Sequence, residues 1–337
     1  MQKKKLLAAL LCATTVLMSL AACGGSDTAS SESTDSTATN ADATYTVGIC
    51  QLVQHEALDA ATKGFKEALT DKLGDDVTFD EQNAAGDSAT CATITNGFVS
   101  SGYDLIMANA TASLQAASAA TGDIPVVATS ITDYASALNI DADDWTGKTG
   151  INVTGTSDLA PLDQQADMVN ELFPNAKTVG ILYCSAESNS KYQAETITTY
   201  LEEYGYTVKD FTFSDSNDVA QVTQSACDEC DVLYIPTDNT AANCIENINN
   251  ITSAAGMPII AGEEGICAGG GVATLSIDYY DIGYAAGLMA YEILVNGADP
   301  AEMDIQFAEE VKKEYNPDVC ETLGITIPDD YEAIETN

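Results

Sequence analysis

Residues 178–213 read TVGILYCSAESNSKYQAETITTYLEEYGYTVKDFTF, and this stretch decides the fold class. Residues 178–183 form a short apolar run, residues 191–204 have helical spacing, and residues 207–213 form a second run rich in β-branched and aromatic side chains. A strand, a helix and a strand that follow one another so closely predict a β-α-β unit with parallel strands.

The same alternation fills the rest of the chain. Predicted strands lie at residues 45–50, 77–81, 105–108, 125–128, 232–235 and 258–261, and predicted helices at residues 57–73, 88–101, 113–120, 219–226, 241–255 and 282–295. Apolar strands between helices indicate parallel sheets that are covered on both faces. Because the two halves repeat one order at similar lengths, the sequence predicts an α/β fold with two similar doubly wound parallel-sheet lobes joined by a hinge.

The two lobes are expected to exchange segments of the chain. Residues 150–155 read as an extended crossover bounded by glycines, and residues 303–307 are a late strand candidate. We expect residues 45–153 with 280–298 to form the N-terminal lobe, and residues 154–279 with 299–333 to form the C-terminal lobe. Two lobes with thin connections can close over a ligand by a hinge motion.

The first 23 residues carry a targeting signal. Three lysines at positions 3–5 precede the apolar run 6–22. The run is about long enough to span a membrane, but no basic residues follow it and it ends in small residues. Its end, Leu-Ala-Ala-Cys at residues 20–23, resembles the bacterial lipoprotein cleavage box. The resemblance implies that residues 1–22 are a signal peptide and that Cys23 carries the lipid, palmitate included, that anchors the protein at the extracytoplasmic face of the cell membrane.

Residues 23–44 are expected to form a flexible tether. They contain small, hydroxyl, amide and acidic residues, and no large apolar side chain occurs before Tyr45. Such a segment cannot bury enough apolar surface to offset the entropy lost on ordering. We therefore expect a monomeric, soluble body that contacts the membrane only through its lipid.

The charge of the chain excludes several partners. All twelve basic residues are lysines against 52 acidic residues, so the net charge is −40, and removal of the signal peptide would bring it to about −43. Nucleic acid and anionic lipid surfaces are therefore excluded as partners. Without arginine, an anionic ligand group has to be held by backbone N–H groups at helix starts, by hydroxyls or by lysine.

Ten cysteines are many for an exported protein. Cys12 leaves with the signal peptide and Cys23 is acylated, so eight remain in the body. Cys227 and Cys230 form a single CxxC motif, but a zinc site needs two more ligands and the only histidine, His55, is distant in sequence. We expect no metal and no cofactor. The remaining thiols are either buried as small apolar side chains or paired in disulfides, which the sequence leaves open.

Polar residues follow most of the predicted strands. In open parallel sheets ligands bind beyond the carboxyl ends of the strands, which makes these residues candidates for a ligand site. The alternative for each is capping of the next helix, since Ser, Thr, Asp and Asn are preferred caps. The candidates from these positions are Gln54, His55, Thr111, Ser113, Ser130, Thr132, Tyr134, Glu187, Asn189, Asp238, Asn239 and Glu263.

Several of these segments resemble the motifs of a family of ABC-transporter substrate-binding lipoproteins. They are residues 54–65, residues 152–158 with the sequence NVTGTSD, and residues 183–190, 235–240 and 278–284. The resemblance covers residues 45–330 and implies the type I periplasmic-binding-protein fold with an ABC permease as partner. Family members with known ligands bind tryptophan or tyrosine. The resemblance also adds Ser157 and Asp158 to the ligand-binding candidates.

An amino-acid ligand would give these candidates distinct roles. Its ammonium group needs an anionic partner, which Glu187 or Asp238 can supply. Its carboxylate suits hydroxyls and helix-start amides in a chain without arginine, and these lie around Thr111, Ser113, Ser130 and Thr132. The aromatic ring could lie against Tyr134, Tyr183 or Tyr279, although each of these is equally well explained by ordinary packing. His55 either contacts the ligand or bonds within its own loop.

The leading hypothesis is therefore a solute receptor that delivers an amino acid, aromatic by the family resemblance, to an ABC importer. An enzyme is disfavoured, because the sequence has no nucleophile elbow, dinucleotide fingerprint or phosphate loop and contains a single histidine. Two alternatives stay open: a receptor for another small solute, such as a nucleoside or a sugar, and a surface adhesin.

Overall fold

The computed structural model of the protein describes residues 44–141 and 143–334. The first elements are β1 (Tyr45–Gln51), α1 (Glu56–Leu73), β2 (Val77–Asn83), α2 (Ser88–Ser101), β3 (Leu105–Asn109), α3 (Thr111–Ala120), β4 (Val126–Ile131), α4 (Tyr134–Leu138) and β5 (Val153–Ser157). The later elements are α5 (Leu162–Leu172), β6 (Thr178–Cys184), α6 (Ser188–Glu203), β7 (Thr207–Phe213), α7 (Val219–Glu229), β8 (Val232–Ile235), α8 (Asn239–Asn243), α9 (Ile245–Ala255), β9 (Ile259–Ala261), α10 (Glu264–Gly270), β10 (Ala273–Ser276), α11 (Tyr279–Asn296), β11 (Gln306–Phe307), β12 (Lys312–Tyr315), α12 (Pro317–Leu323) and β13 (Glu332–Ala333).

The strands form two sheets, which define a first and a second lobe. The first sheet has the order β11-β5-β4-β3-β1-β2, and all its neighbouring strands are parallel. The second has the order β13-β12-β10-β9-β8-β6-β7, in which β12 runs antiparallel to β10 and the other pairs are parallel. The predicted α/β fold with two parallel-sheet lobes is confirmed.

Both faces of the sheets are buried, which explains why the strands are apolar along almost their whole length. In β3, Leu105 and Met107 pack in one core cluster with residues of α1 and α11. Ile106 and Ala108, which point to the opposite face, pack in a second cluster with residues of α2 and α3. The polar candidates follow the carboxyl ends of these strands.

Most of the predicted helices and strands are confirmed, and the differences have local causes. Helix α2 and strands β7 and β8 begin and end at the predicted residues. The prediction of one helix over residues 241–255 is wrong, because the chain turns at Cys244 and divides it into α8 and α9. The predicted strand at residues 303–307 shortens to β11, since Pro300–Glu302 form a 3₁₀ turn before it.

The described part of the chain passes between the two sheets three times, at residues 158–161, 277–278 and 308–311. Residues 154–157 and 306–307 were expected in the C-terminal lobe, but their strands pair in the first sheet. Strand β5 can approach β4 because Gly155 has a φ of 149° and no side chain; a Cβ there would lie 1.9 Å from the carbonyl oxygen of Ala128. The other lobe boundaries stay a prediction.

Helix α11 returns to the first lobe and packs along α1. The two backbones come close at glycines. A Cβ on Gly64 would lie 2.2 Å from the carbonyl oxygen of Tyr280, and a Cβ on Gly283 would lie 2.1 Å from that of Ala61. The contact between the helices therefore depends on residues that have no side chain.

The eight cysteines in the described part of the chain are free thiols, and six of them are buried. Among the described helices, none combines the length and the apolar character needed to cross a membrane. The predictions for the signal peptide, the tether and lipidation at Cys23 concern residues outside the described ranges.

Candidate ligand-binding site

The two lobes meet at the carboxyl ends of their strands. His55, which follows β1, lies across from Asn239, which follows β8, with 3.2 Å between His55 Nε2 and Asn239 Oδ1. The amide nitrogen of Asn239 donates to Glu187, so its Oδ1 is the acceptor and the histidine ring donates. Burial lowers the pKa of His55 and favours the neutral ring. In the structure His55 bonds to the opposite lobe and not within its own loop, and its contact with the ligand stays a prediction.

The ends of β3 and β4 have an unusual backbone. Ala110 has a φ of 82° and Ser130 a φ of 57°, both in a region that residues other than glycine seldom adopt. The N–H of Ala110 donates to the carbonyl of Thr129 at 3.1 Å, which holds the two ends side by side. Strand pairing between β4 and β5 shifts register at this point. Such backbone distortion is common where a protein positions groups for a ligand.

Two sets of hydrogen-bond donors at these ends lack a partner. Ser130 is 4% exposed, and its hydroxyl has no hydrogen-bond partner among the described residues. Helix α3 begins beside it at Thr111, and no described side chain caps this helix. A helix start without a cap offers N–H groups and partial positive charge to an anion. The arrangement is suited to a carboxylate.

The neighbouring candidates Ser113 and Tyr134 point into the protein. The Ser113 hydroxyl lies 3.6 Å from Cys50 Sγ and 3.5 Å from Cys91 Sγ, inside the first lobe. The Tyr134 hydroxyl donates to the carbonyls of Ala128 at 3.0 Å and Thr156 at 3.1 Å. It thereby ties the distorted end of β4 to β5, so its role in the structure is to support the site.

Asp158 lies at the first crossover between the lobes and is almost completely buried. Its Oδ1 accepts a hydrogen bond from the Thr132 hydroxyl and its Oδ2 one from the Tyr279 hydroxyl, both at 3.1 Å. Ser157, next to it, donates to the carbonyl of Thr132. Burial raises the pKa of Asp158 to about 6. No ion pair among the described residues includes this carboxylate.

In the second lobe, Glu187 is saturated with donors from the start of α8. Its Oε1 accepts from the N–H and the hydroxyl of Thr240 at 2.8 and 2.7 Å, and its Oε2 accepts from the N–H and the side-chain amide of Asn239 at 3.1 and 2.7 Å. Asn189 donates to the same carboxylate at 3.3 Å and to the carbonyl of Thr237 at 3.0 Å.

Asp238 and Glu263 serve as helix caps. Asp238 accepts from the N–H groups of Cys184 at 2.6 Å and Ala241 at 2.7 Å, which caps α8 and ties it to the end of β6. Glu263 accepts from the N–H groups at the start of α10. Burial raises the pKa of Asp238 to about 8, with a contribution from nearby Glu187, and that of Glu263 to about 7.

The structure thus gathers most, but not all, of the predicted candidates at the facing strand ends. Gln54 is exposed and reaches Asp59 on α1. Tyr279 is buried and touches Asp158 through its hydroxyl, whereas Tyr183 packs in the core of the second lobe. Gln193 was not among the predicted candidates, although its side-chain amide forms hydrogen bonds with both the N–H and the carbonyl of Thr237. The sequence offers no motif that distinguishes it from the other polar residues of α6.

A cavity of about 800 Å³ lies elsewhere, beside the second and third crossovers. Its lining includes Glu264, Asp281, Phe307 and Glu314, and none of the predicted site residues. Its volume alone therefore does not make it the ligand site.

The chain belongs to the ABC transporter substrate-binding protein family, whose model matches residues 46–335. It is 36% identical to the tyrosine-binding protein of Clostridioides difficile (strain R20291) over 327 residues, 96% of this chain and 93% of that protein. Members of the family are extracytoplasmic receptors and not a family of enzymes.

Two solved structures show the fold in different states. An ABC domain from Streptococcus pneumonia in complex with L-Trp is 33% identical, with a TM-score of 0.82, over 87% of this chain and 100% of that one. The ligand-free, open structure of a substrate-binding protein with adhesive properties from Clostridium difficile is 35% identical at the same coverages, with a TM-score of 0.65. At nearly equal identity, the lobes here resemble the complex more closely than the open structure. The fold is that of the type I periplasmic binding proteins.

Proposed function

We propose that this protein is the extracytoplasmic solute receptor of an ABC importer, that it binds an aromatic amino acid between its lobes, and that it delivers this ligand to the permease. The observation that carries the proposal is the pair of unpartnered donor groups at the ends of β3 and β4, the hydroxyl of Ser130 and the uncapped start of α3. Relatives that bind tyrosine or are found with L-Trp support the aromatic class.

The ligand's carboxylate would lie at the start of α3. There the free N–H groups of the helix and the hydroxyl of Ser130 can donate to it, which supplies the anion site that the absence of arginine requires. Thr111 is buried at the same helix start. A nucleoside or a sugar would leave this anion site unused, so it favours a ligand with a carboxylate.

Closure of the lobes would bury the ligand. For this hinge we propose a first lobe of residues 45–157 with 279–307 and a second lobe of residues 158–278 with 308–334, which follows the strand pairing. The hydrogen bond between His55 and Asn239 would form on closure and help to hold the lobes together. Neither lobe is proposed to carry out catalysis.

The proposed anchor is a lipid on Cys23 after removal of residues 1–22, with residues 23–44 as a tether of a monomeric body. Replacement of Cys23 by Ser should then release the protein from the membrane without unfolding the body, because the lipid is its only strong membrane contact. Fractionation and mass spectrometry of the mature N-terminus measure this. Wild-type protein that is soluble and unmodified at Cys23 would contradict it.

Adhesion is a second candidate function, because the relative from Clostridium difficile is described as having adhesive properties. An anchored receptor exposes the same surface to neighbouring cells. Attachment of beads coated with the purified protein to cultured cells tests this, with beads coated with an unrelated acidic protein as control. Equal attachment of both kinds of bead would exclude it.

A thermal-shift screen of the purified protein against amino acids, nucleosides and sugars tests the proposed ligand class. A ligand that binds only the folded protein at about 100 times its Kd adds about 2.7 kcal/mol to the free energy of unfolding. We expect tryptophan, tyrosine or phenylalanine to raise the Tm. The proposal fails if nucleosides or sugars do so and the aromatic amino acids do not.

A further inference from the structure

We propose that Asp158 is the group that binds the ligand's ammonium, and that the more obvious carboxylates Glu187, Asp238 and Glu263 are not. The inference rests on the proposed function, since it requires an amino-acid ligand. It follows from a comparison of the four carboxylates among the predicted site residues.

Three of the four already have N–H donors on both oxygens. The oxygens of Asp238 each accept a backbone N–H, and those of Glu263 do the same at the start of α10. Each oxygen of Glu187 accepts one backbone N–H and at least one side-chain donor. If any of these carboxylates moved toward a ligand, a helix would lose its cap. They are therefore poor partners for the ammonium group of a ligand that binds and dissociates repeatedly.

Asp158 differs in the kind and number of its donors. Only the hydroxyls of Thr132 and Tyr279 donate to its carboxylate in the described part of the chain, one to each oxygen. A carboxylate has about four acceptor positions, so about two remain for a ligand. A buried carboxylate without a cation is unfavourable, and an ammonium group would remove that unfavourable state on binding.

The position of Asp158 matches the proposed carboxylate site. Its N–H donates to the carbonyl of Ile131 at 3.2 Å, so it lies beside the end of β4, and Ser130 is the next residue back along that strand. In an amino acid, a single carbon separates the ammonium and carboxylate groups. The two proposed subsites are therefore close enough to be bridged by one amino-acid backbone.

Ammonium binding at Asp158 should depend on pH. Burial raises its pKa to about 6, and a bound cation favours the ionised form, so the affinity should fall about tenfold per pH unit below about pH 6. The titratable groups that face it are Tyr134 and Tyr279, whose own pKa values burial raises well above 10. Glu263 faces Tyr279, and burial raises its pKa to about 7, close to that of Asp158. The Glu263→Gln variant is therefore needed as a control of the pH profile.

Calorimetry with tyrosine and with its des-amino analogue, 3-(4-hydroxyphenyl)propionate, tests the proposal on the full mature protein. Loss of a buried charge partner typically weakens binding by about thirtyfold or more. We expect Asp158→Asn to lose this factor for tyrosine and to bind the analogue as wild type does. Asp238→Asn, the matched control, keeps a residue that caps α8 and should change tyrosine affinity less than about threefold.

The outcomes separate this inference from the proposed function. If Asp158→Asn binds tyrosine as tightly as wild type, or if it loses tyrosine and the analogue equally, Asp158 does not bind the ammonium. If the wild-type protein binds no amino acid, the proposed function itself fails and the inference fails with it. The Tm of the ligand-free Asp158→Asn variant should equal or exceed that of wild type, because the change removes a buried charge; a lower Tm together with loss of both ligands would reveal a structural role.

Discussion

Replacement of Tyr134 by Phe isolates the hydroxyl that supports the distorted end of β4. The ring is buried and phenylalanine fills the same space, so no cavity forms. What is lost is the donor to the carbonyls of Ala128 and Thr156, at 3.0 and 3.1 Å. A buried polar group left without its partner destabilises a protein by about 1–3 kcal/mol. At roughly 2–4 °C per kcal/mol for a protein of this size, the Tm should fall by a few degrees or more.

Denaturant and thermal unfolding of Tyr134→Phe measure this, and Tyr103→Phe is the matched control. The hydroxyl of Tyr103 donates to Asp80 in a partly exposed setting, so its loss should change the free energy of unfolding by less than about 1 kcal/mol. Ligand affinity should also fall severalfold in Tyr134→Phe, because Ser130 is held by the same distorted segment. Equal stability of the two variants would show that the hydroxyl of Tyr134 does not support the end of β4.

Three further predictions concern the rest of the molecule. Gly64→Ala should lower the free energy of unfolding by about 1–3 kcal/mol or more, because the added methyl group clashes between α1 and α11. Gly97→Ala lies at an exposed helical position with open space around it and should raise the free energy of unfolding by about 0.5–1 kcal/mol. Chemical denaturation that finds the same sign for both variants would contradict this. His55→Phe, which keeps a ring but cannot donate to Asn239, should release ligand about two- to tenfold faster in stopped-flow measurements, and an unchanged rate would exclude a closing role. Burial raises the pKa of Glu263 from 4.5 to about 7, so the folded state binds the proton of this carboxyl group more tightly than the unfolded state does. The Tm should therefore fall from pH 5 to pH 8, and it should fall less steeply in Glu263→Gln. A Tm that rises over this range would refute the raised pKa of Glu263.

The fold was largely predictable because the sequence marks buried parallel strands clearly. Strand β8 is a run of apolar residues between helices, and its bounds match the predicted ones. The pairing of β5 and β11 in the first sheet was not predictable, since it depends on contacts between segments far apart in the chain. Gly155 illustrates this. A glycine in a sequence indicates that the backbone can adopt unusual conformations, but it does not indicate which strand will pack against it.

The position of the candidate residues was predictable, but their bonding was not. The polar residues after the strands do lie at the facing ends of the two sheets. Their division into caps and free groups could not be read, because aspartate is both a preferred helix cap and a natural partner for a cation, as Asp238 and Asp158 illustrate. The distorted backbone at Ser130 gave no signal either, since serine has no special preference for a positive φ.

The pairing of β11 with β5 has a consequence for how the protein folds after export. Phe307 lies opposite Ser157, about 150 residues earlier in the chain, and α11 also reaches the first lobe only after most of the second lobe has been made. Contacts at such long sequence separation slow folding, and until they form the edge of β5 is open to pairing with other chains. We therefore expect the first lobe to stay incomplete until nearly the whole chain is available for folding, and the edge of β5 to stay exposed until then.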